Sequence, residues 1–133
     1  MPMKVLYFDA YGRAEAFRMM LVHSKTEFED VRMSREEFGE LKSSGKLEFG
    51  QVPALELEDG KIITQTGAIA RYLGATLGYY SKDHLKALED DSMCDALMDL
   101  FGKMMGMFFG PSEEAKAAAG KAFAEEHFPL YLE

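Results

Sequence analysis

An α/β sheet domain in the order β-α-β-α-β-β-α, followed by an all-helical region, is the fold class that this 133-residue sequence predicts. Three observations carry that expectation. The apolar run Val5-Leu6-Tyr7-Phe8 is followed, after a short polar break, by residues with helical periodicity, the strand-then-helix alternation of an α/β domain. Ala54-Leu55-Glu56-Leu57-Glu58, Asp59-Gly60 and Lys61-Ile62-Ile63-Thr64 together spell a hairpin around a tight turn. Beyond Gly78 the strand signals stop and only helical periods remain.

Residues 4–8 read as a buried strand, and 13–24 as a helix with Ala14, Phe17, Met20 and Leu21 on one face. Residues 27–33 suit a second strand. Ser34-Arg35-Glu36-Glu37 is a capping box: the serine caps a short helix and Glu37 reaches back, and that helix ends near Gly45. After the hairpin, Ile69, Tyr72, Leu73 and Leu77 recur at helical spacing across 66–77. This is the thioredoxin-like arrangement, a mixed four-stranded sheet with helices on both faces. Residues 78–83 form a linker. A long amphipathic helix then runs from Asp83 to about Phe109, with Met93, Leu97, Leu100, Phe101, Met104, Met105 and Phe108 on one stripe. That methionine-rich stripe reads as core or subunit contact and not as a cofactor box. Ser112 caps a restart, and Pro129 kinks or ends the last helix. The domain organisation is therefore 1–77, a linker 78–83, and a partial helical domain 84–133.

The formal net charge of −8 argues against a nucleic-acid surface, because phosphate binding needs Lys and Arg. No apolar run approaches the roughly 18 residues of a spanning helix. The start lacks a signal-peptide pattern, so the expected location is cytoplasmic. A single cysteine, Cys94, allows no internal disulfide, no paired-thiol redox motif and no cysteine-based zinc site, and it is expected to be a small buried residue. His23, His84 and His127 lack ligand spacing, and no metal is assigned.

The chemistry resides in three segments. Tyr7-Phe8 is followed by Gly12-Arg13-Ala14-Glu15, then by Gly50-Gln51-Val52-Pro53, then by Gln65-Thr66-Gly67-Ala68-Ile69-Ala70-Arg71-Tyr72-Leu73. In this order and spacing they resemble the cytosolic glutathione transferases of the tyrosine type, nearest the sigma, pi and mu classes, from about Met3 to about Leu130. The resemblance implies glutathione as co-substrate. It makes Tyr7 the catalytic hydroxyl that donates to the glutathione sulfur and favours the nucleophilic thiolate. Lowering a thiol pKa by about two units takes roughly 3 kcal/mol of differential stabilisation. The plain alternative for Tyr7 is a packing aromatic on a buried strand.

The remaining glutathione-site residues follow from the same resemblance. Arg13 orders the ligand region or forms an ion pair with Glu15. Lys42 meets the glycine carboxylate, with Lys46 as a substitute. Phe38 stands where many relatives place a tryptophan, and it brings no donor. Val52-Pro53 is expected to be a cis bond whose turn presents the Val52 backbone to the cysteinyl backbone of the ligand. Gln51 supports the γ-glutamyl side. Gln65 and Thr66 offer a helix N-terminus to a carboxylate, or serve as a plain cap. Asp99 reaches the ligand's amino group across a dimer, or belongs with Asp91 and Asp95 to a solvated acidic stripe. Phe49 is a key inserted into a partner subunit, or a loop aromatic of the core.

Members of the resembled family continue beyond the point matching Leu130, with helices that fill the helical core and wall the electrophile pocket. An apolar surface is therefore expected on the helical region. Two functions are open: glutathione transfer to electrophilic small molecules, or a non-catalytic structural subunit of a larger assembly. The sigma class also supports isomerisation of prostaglandin-type peroxides, so the substrate is open. Expected partners are glutathione and an electrophile, in a homodimer or a larger complex, without nucleic acid and without membrane insertion.

Overall fold

The computed structural model describes residues 1–132; Glu133, the last residue of the expected helical domain, lies outside the described residues. In β1 (Met3–Phe8) Val5 and Leu6 are both buried although successive side chains point to opposite faces, so this strand is covered on both sides. A 3-10 turn over Gly12–Ala14 leads into α1 (Glu15–His23). The expected helix over 13–24 thus begins in tighter winding, as helix N-termini often do. β2 (Phe28–Met33) follows, then α2 (Arg35–Ser43), opened by the expected capping box: the Glu37 N–H donates to Ser34 Oγ at 3.2 Å and the Ser34 N–H donates to Glu37 Oε2 at 2.7 Å.

The hairpin is β3 (Ala54–Glu56) and β4 (Ile62–Thr64), shorter than the alternation suggests. The Leu57 N–H donates to the Lys61 carbonyl at 2.8 Å and the Gly60 N–H to the Leu57 carbonyl at 2.9 Å. The loop is therefore three residues, 58–60. Gly60 closes it at φ +83, a left-handed position that suits a residue without Cβ. α3 (Thr66–Leu77) completes the order.

The sheet order is β2-β1-β3-β4, with β1 and β2 parallel and the other pairs antiparallel. On one face Val5 and Leu55 pack with Ala14, Phe17 and Leu21 beside α1 and with Ile69 and Leu73 of α3. On the other, Leu6, Met33, Leu47 and Ala54 pack with Phe38 and Leu41 of α2. Each fully buried Leu, Ile or Phe contributes about 1.5–3 kcal/mol, so these two layers hold the sheet.

The chain divides into two compact units, Met1–Lys82 and a second beginning at Asp83. In the second, Asp83 Oδ1 accepts from the Leu85 and Lys86 N–H groups and caps α4 (His84–Phe109). Ser112 caps α5 (Glu113–Ala122). The α geometry ends there, ahead of Pro129, and continues as a π-helical turn over Phe123–His127 and a 3-10 turn over Phe128–Tyr131, with the Phe123 and Phe128 rings stacked. α5 meets α4 where Gly106 faces Ala119 and Gly120 faces Met107. Cys94 lies more than three turns back along α4 and is exposed, which corrects the expectation of burial. Leu85, Leu88, Met93, Phe108 and Phe109 are exposed as well. Among the described residues no helix is long and apolar enough to cross a membrane.

Candidate functional site

The register gathers three of the expected residues at one end of the sheet. Leu6 pairs with Ala54, and Ala54 pairs with Thr64. One residue further out along each strand come Tyr7, Pro53 and Gln65. α1 and α3 both begin beyond this same end, because each follows the strand that runs toward it. Two helix N-termini, with their partial positive charge, therefore flank the place where the three residues emerge.

Tyr7 is half-buried, and its ring packs against the α1–α3 face of the core. Its Oη accepts the backbone N–H of Arg13 at 3.4 Å. Gly12 adjoins the ring so closely that a Cβ there would lie 2.7 Å from Tyr7 Oη and 2.9 Å from Cε1. Gly12 also has φ +44. Position 12 thus needs glycine for backbone and space alike.

The loop from Gly50 enters the site through a Val52–Pro53 bond that is cis. Pro53 is buried, Val52 half-buried and Gln51 exposed. The Gln65 amide donates from Nε2 to Gln51 Oε1 at 3.3 Å, which joins this loop to the start of α3. Gln65 holds the N-cap position at φ +81, yet its side chain makes no capping bond. A non-glycine residue in so sparsely populated a backbone region costs about 1–3 kcal/mol and persists where surroundings fix it. Thr66 is the first residue of the helix.

Lys42, near the end of α2, lays its stem over Gly50: a Cβ there would come 3.1 Å from Lys42 Cε. Phe38 is half-buried and meets Phe8 edge-on with centroids 5.2 Å apart. Lys46 lines a separate hollow with Glu56, Gly60 and Ile62. Phe49 is exposed, which sets aside the reading as a core aromatic. Asp99 is exposed on α4, in the second unit. Glu15, a candidate partner of Arg13, pairs with Arg18 at 3.1 Å.

Arg18 is the residue that sequence reasoning missed. It is 5% exposed. Its Nε donates to Asp30 Oδ1 at 2.9 Å, and its Nη1 donates to the Ala10 carbonyl at 2.8 Å and to that of Tyr11 at 3.4 Å. Asp30 Oδ2 also accepts from Arg32 Nε at 2.8 Å, and Arg32 Nη1 donates to Asp9 Oδ1 at 2.8 Å. Burial pushes the Asp30 carboxyl up, but hydrogen bonds and charge from Arg18 and Arg32 outweigh it and hold the group below its ordinary value. The hydrogen bonds from Arg32 to Asp9 and Asp30 raise the guanidinium correspondingly. A signal was there to find. Arg18 shares the apolar face of Ala14, Phe17 and Leu21 at spacing i+4, a core position for which a charged residue demands a partner.

Among the described residues no group of three or more His, Cys, Asp or Glu side chains could hold a metal ion. The site's donors are a phenol, amides, backbone N–H groups and a lysine, a set that suits a peptide-like ligand with carboxylates.

Comparison with known proteins places the chain in a family. The family model described as the N-terminal domain of glutathione S-transferase matches residues 3–75. Glutathione S-transferase alpha-4 of Rattus norvegicus is 37% identical over 132 residues, covering 96% of this chain and 59% of the rat protein. S-crystallin SL18 of Nototodarus sloanii is 38% identical over 102 residues, covering 77% of this chain and 32% of its own length. Among solved structures, prostaglandin synthase D of Nilaparvata lugens superposes with a TM-score of 0.88 at 34% identity, over 98% of this chain and 64% of that one. The chain thus spans less than two thirds of the length of these relatives. Because the matched segment runs from β1 into α3 and carries the sheet end just described, the chain belongs to the glutathione S-transferase family.

Proposed function

We propose that this chain binds glutathione at the sheet end formed by Tyr7, Pro53 and Gln65 and activates its thiol for conjugation to electrophilic small molecules. The observation that carries the reading is the Tyr7 hydroxyl, whose oxygen accepts the Arg13 N–H. That contact leaves the phenolic proton for the ligand and polarises it toward donation. The sulfur loses its proton to solvent, the Tyr7 O–H stabilises the resulting thiolate, and the thiolate forms the C–S bond as the electrophile's leaving group departs. The Val52 backbone pairs with the cysteinyl backbone. Gln51, Gln65 and Thr66 take the γ-glutamyl end at the N-terminus of α3. Lys42 takes the glycine carboxylate, Phe38 walls that side, and Arg13 orders the region between. Asp99 of a second copy reaches the amino group, so the working state is a homodimer. The proposed location is cytoplasmic.

Calorimetric titration with glutathione tests the site. Saturable binding that is lost in a Gln65→Ala, Thr66→Ala variant supports it, whereas no binding by a folded chain refutes it. Tyr7→Phe is expected to keep binding within about threefold, because the hydrogen bond to sulfur adds little to ground-state affinity, and to cut conjugation about 100-fold near neutral pH. Equal conjugation by parent and variant would remove Tyr7 from the mechanism.

The likeness to S-crystallin SL18, a relative not named as a transferase, favours a second reading as a non-catalytic structural subunit. In that case the folded chain binds no glutathione and its size in solution reports a stable assembly.

A further inference from the structure

The segment 9–13 that caps Tyr7 is tied down at successive points. Asp9 is held by Arg32, the carbonyls of Ala10 and Tyr11 by Arg18, and Asp30 joins the two arginines. Asp30 stands on β2 opposite Val5, and Arg32 opposite Tyr7. The anchor is thus a sheet neighbour of the tyrosine's own strand, and the tether spans sheet, helix and loop. The next two residues are Gly12, which touches the phenol, and Arg13, whose N–H bonds it. That last bond is long at 3.4 Å, so a small shift of the segment makes or breaks it. One nitrogen, Nη1, donates to both adjacent carbonyls while Nε of the same rigid plane donates to Asp30, so the guanidinium fixes the loop relative to β2, which a single lysine ammonium cannot reproduce.

We infer that Arg18 is a positioning residue for Tyr7: the ring Arg18–Asp30–Arg32–Asp9 fixes Gly12 and the Arg13 N–H against the phenol and so sets how strongly Tyr7 donates to a bound thiol. This rests on the glutathione reading above. Glu15 faces the same network and pairs with Arg18 as well.

The test compares Arg18→Lys, Asp9→Asn, Tyr7→Phe and the double variant Tyr7→Phe, Arg18→Lys. Four quantities are read: the pH midpoint of glutathione conjugation to a haloaromatic, the ultraviolet band of the bound thiolate, the Kd for glutathione, and Tm. Arg18→Lys is expected to move the pH midpoint and the thiolate titration upward by about one unit while Kd changes by less than about threefold, since the lost interaction favours one protonation state over the other. In the Tyr7→Phe background the same substitution is expected to add no shift, because its effect passes through the hydroxyl. Asp9 is largely exposed, so Asp9→Asn loosens the ring without leaving a charge buried. It is expected to shift the profile the same way by a smaller amount, and it decides the question if Arg18→Lys does not fold. An unchanged profile in the folded variants, with only a lower Tm, would overturn the inference, as would an equal shift with and without the Tyr7 hydroxyl. If Tyr7→Phe itself leaves the parent's profile unchanged, the catalytic reading of the site fails instead, and the two failures are distinct.

Discussion

Replacing Gly12 with alanine places one methyl group in the tightest spot of the site. The new Cβ would sit 2.7 Å from Tyr7 Oη, 2.9 Å from Cε1 and 3.2 Å from Cζ. Real Cβ contacts do not come under 3.0 Å, so ring or loop must move. The ring cannot swing freely, because it packs against the core beside α1 and α3. The loop is held at Asp9, Ala10 and Tyr11. Two costs add: about 1–2 kcal/mol for a Cβ in left-handed backbone at φ +44, and about 1–3 kcal/mol for overpacking a filled space. The sum, roughly 2–5 kcal/mol, is a large share of a domain's stability. Urea unfolding followed by circular dichroism measures it. A cycle with Tyr7→Phe separates the parts. The backbone cost is the same in both backgrounds and cancels, while removal of the hydroxyl relieves the shortest contact and leaves those to Cε1 and Cζ. The cycle is expected to give a coupling of about 1 kcal/mol. Gly12→Ala within about 0.5 kcal/mol of the parent, and additive with Tyr7→Phe, would refute the close-contact reasoning.

Further outcomes follow from other parts of the structure. Asp30 binds its proton less readily folded than unfolded, so its contribution is full above the unfolded-chain value near 4 and drains as pH falls through the lower folded value. Asp30→Asn should therefore destabilise at neutral pH, and the gap to the parent should narrow on acidification, as read by thermal melts across pH. Ser34→Ala removes the capping box of α2 and should cost about 1 kcal/mol in denaturant unfolding. Lys42→Gln should weaken glutathione binding by about threefold at low salt and by less at high salt, since an exposed charge is screened.

The ring around Arg18 also accounts for a composition that looks wasteful. A buried guanidinium placed against two carbonyls and two carboxylates brings little net stability over an apolar side chain. What it supplies is position. A leucine at 18 would fill the same core but take the Arg18 donor from two backbone carbonyls and from Asp30 Oδ1, leaving Asp30 to Arg32 alone.

Short-range patterns in the sequence determined most of the architecture. The hairpin around Asp59-Gly60, the Ser34–Glu37 box and the caps at Asp83 and Ser112 are satisfied within a few residues, so their signals are local and survive in the chain alone. The family was legible for the same reason, since its motifs are contiguous runs around Tyr7, Pro53 and Gln65. Three-dimensional packing decided the rest. Arg18 meets Asp30 twelve positions away, and Arg32 meets Asp9 across twenty-three. Such pairs exist only once β1 and β2 lie side by side. Gly12 acquires its role only when the turn after β1 folds back on the tyrosine. Exposure at Cys94 and Phe49 depended on which surfaces reach them, which periodicity along one helix or loop does not encode. Spacing fixes which way a side chain points relative to its neighbours in sequence; what it touches is a property of the assembled layers.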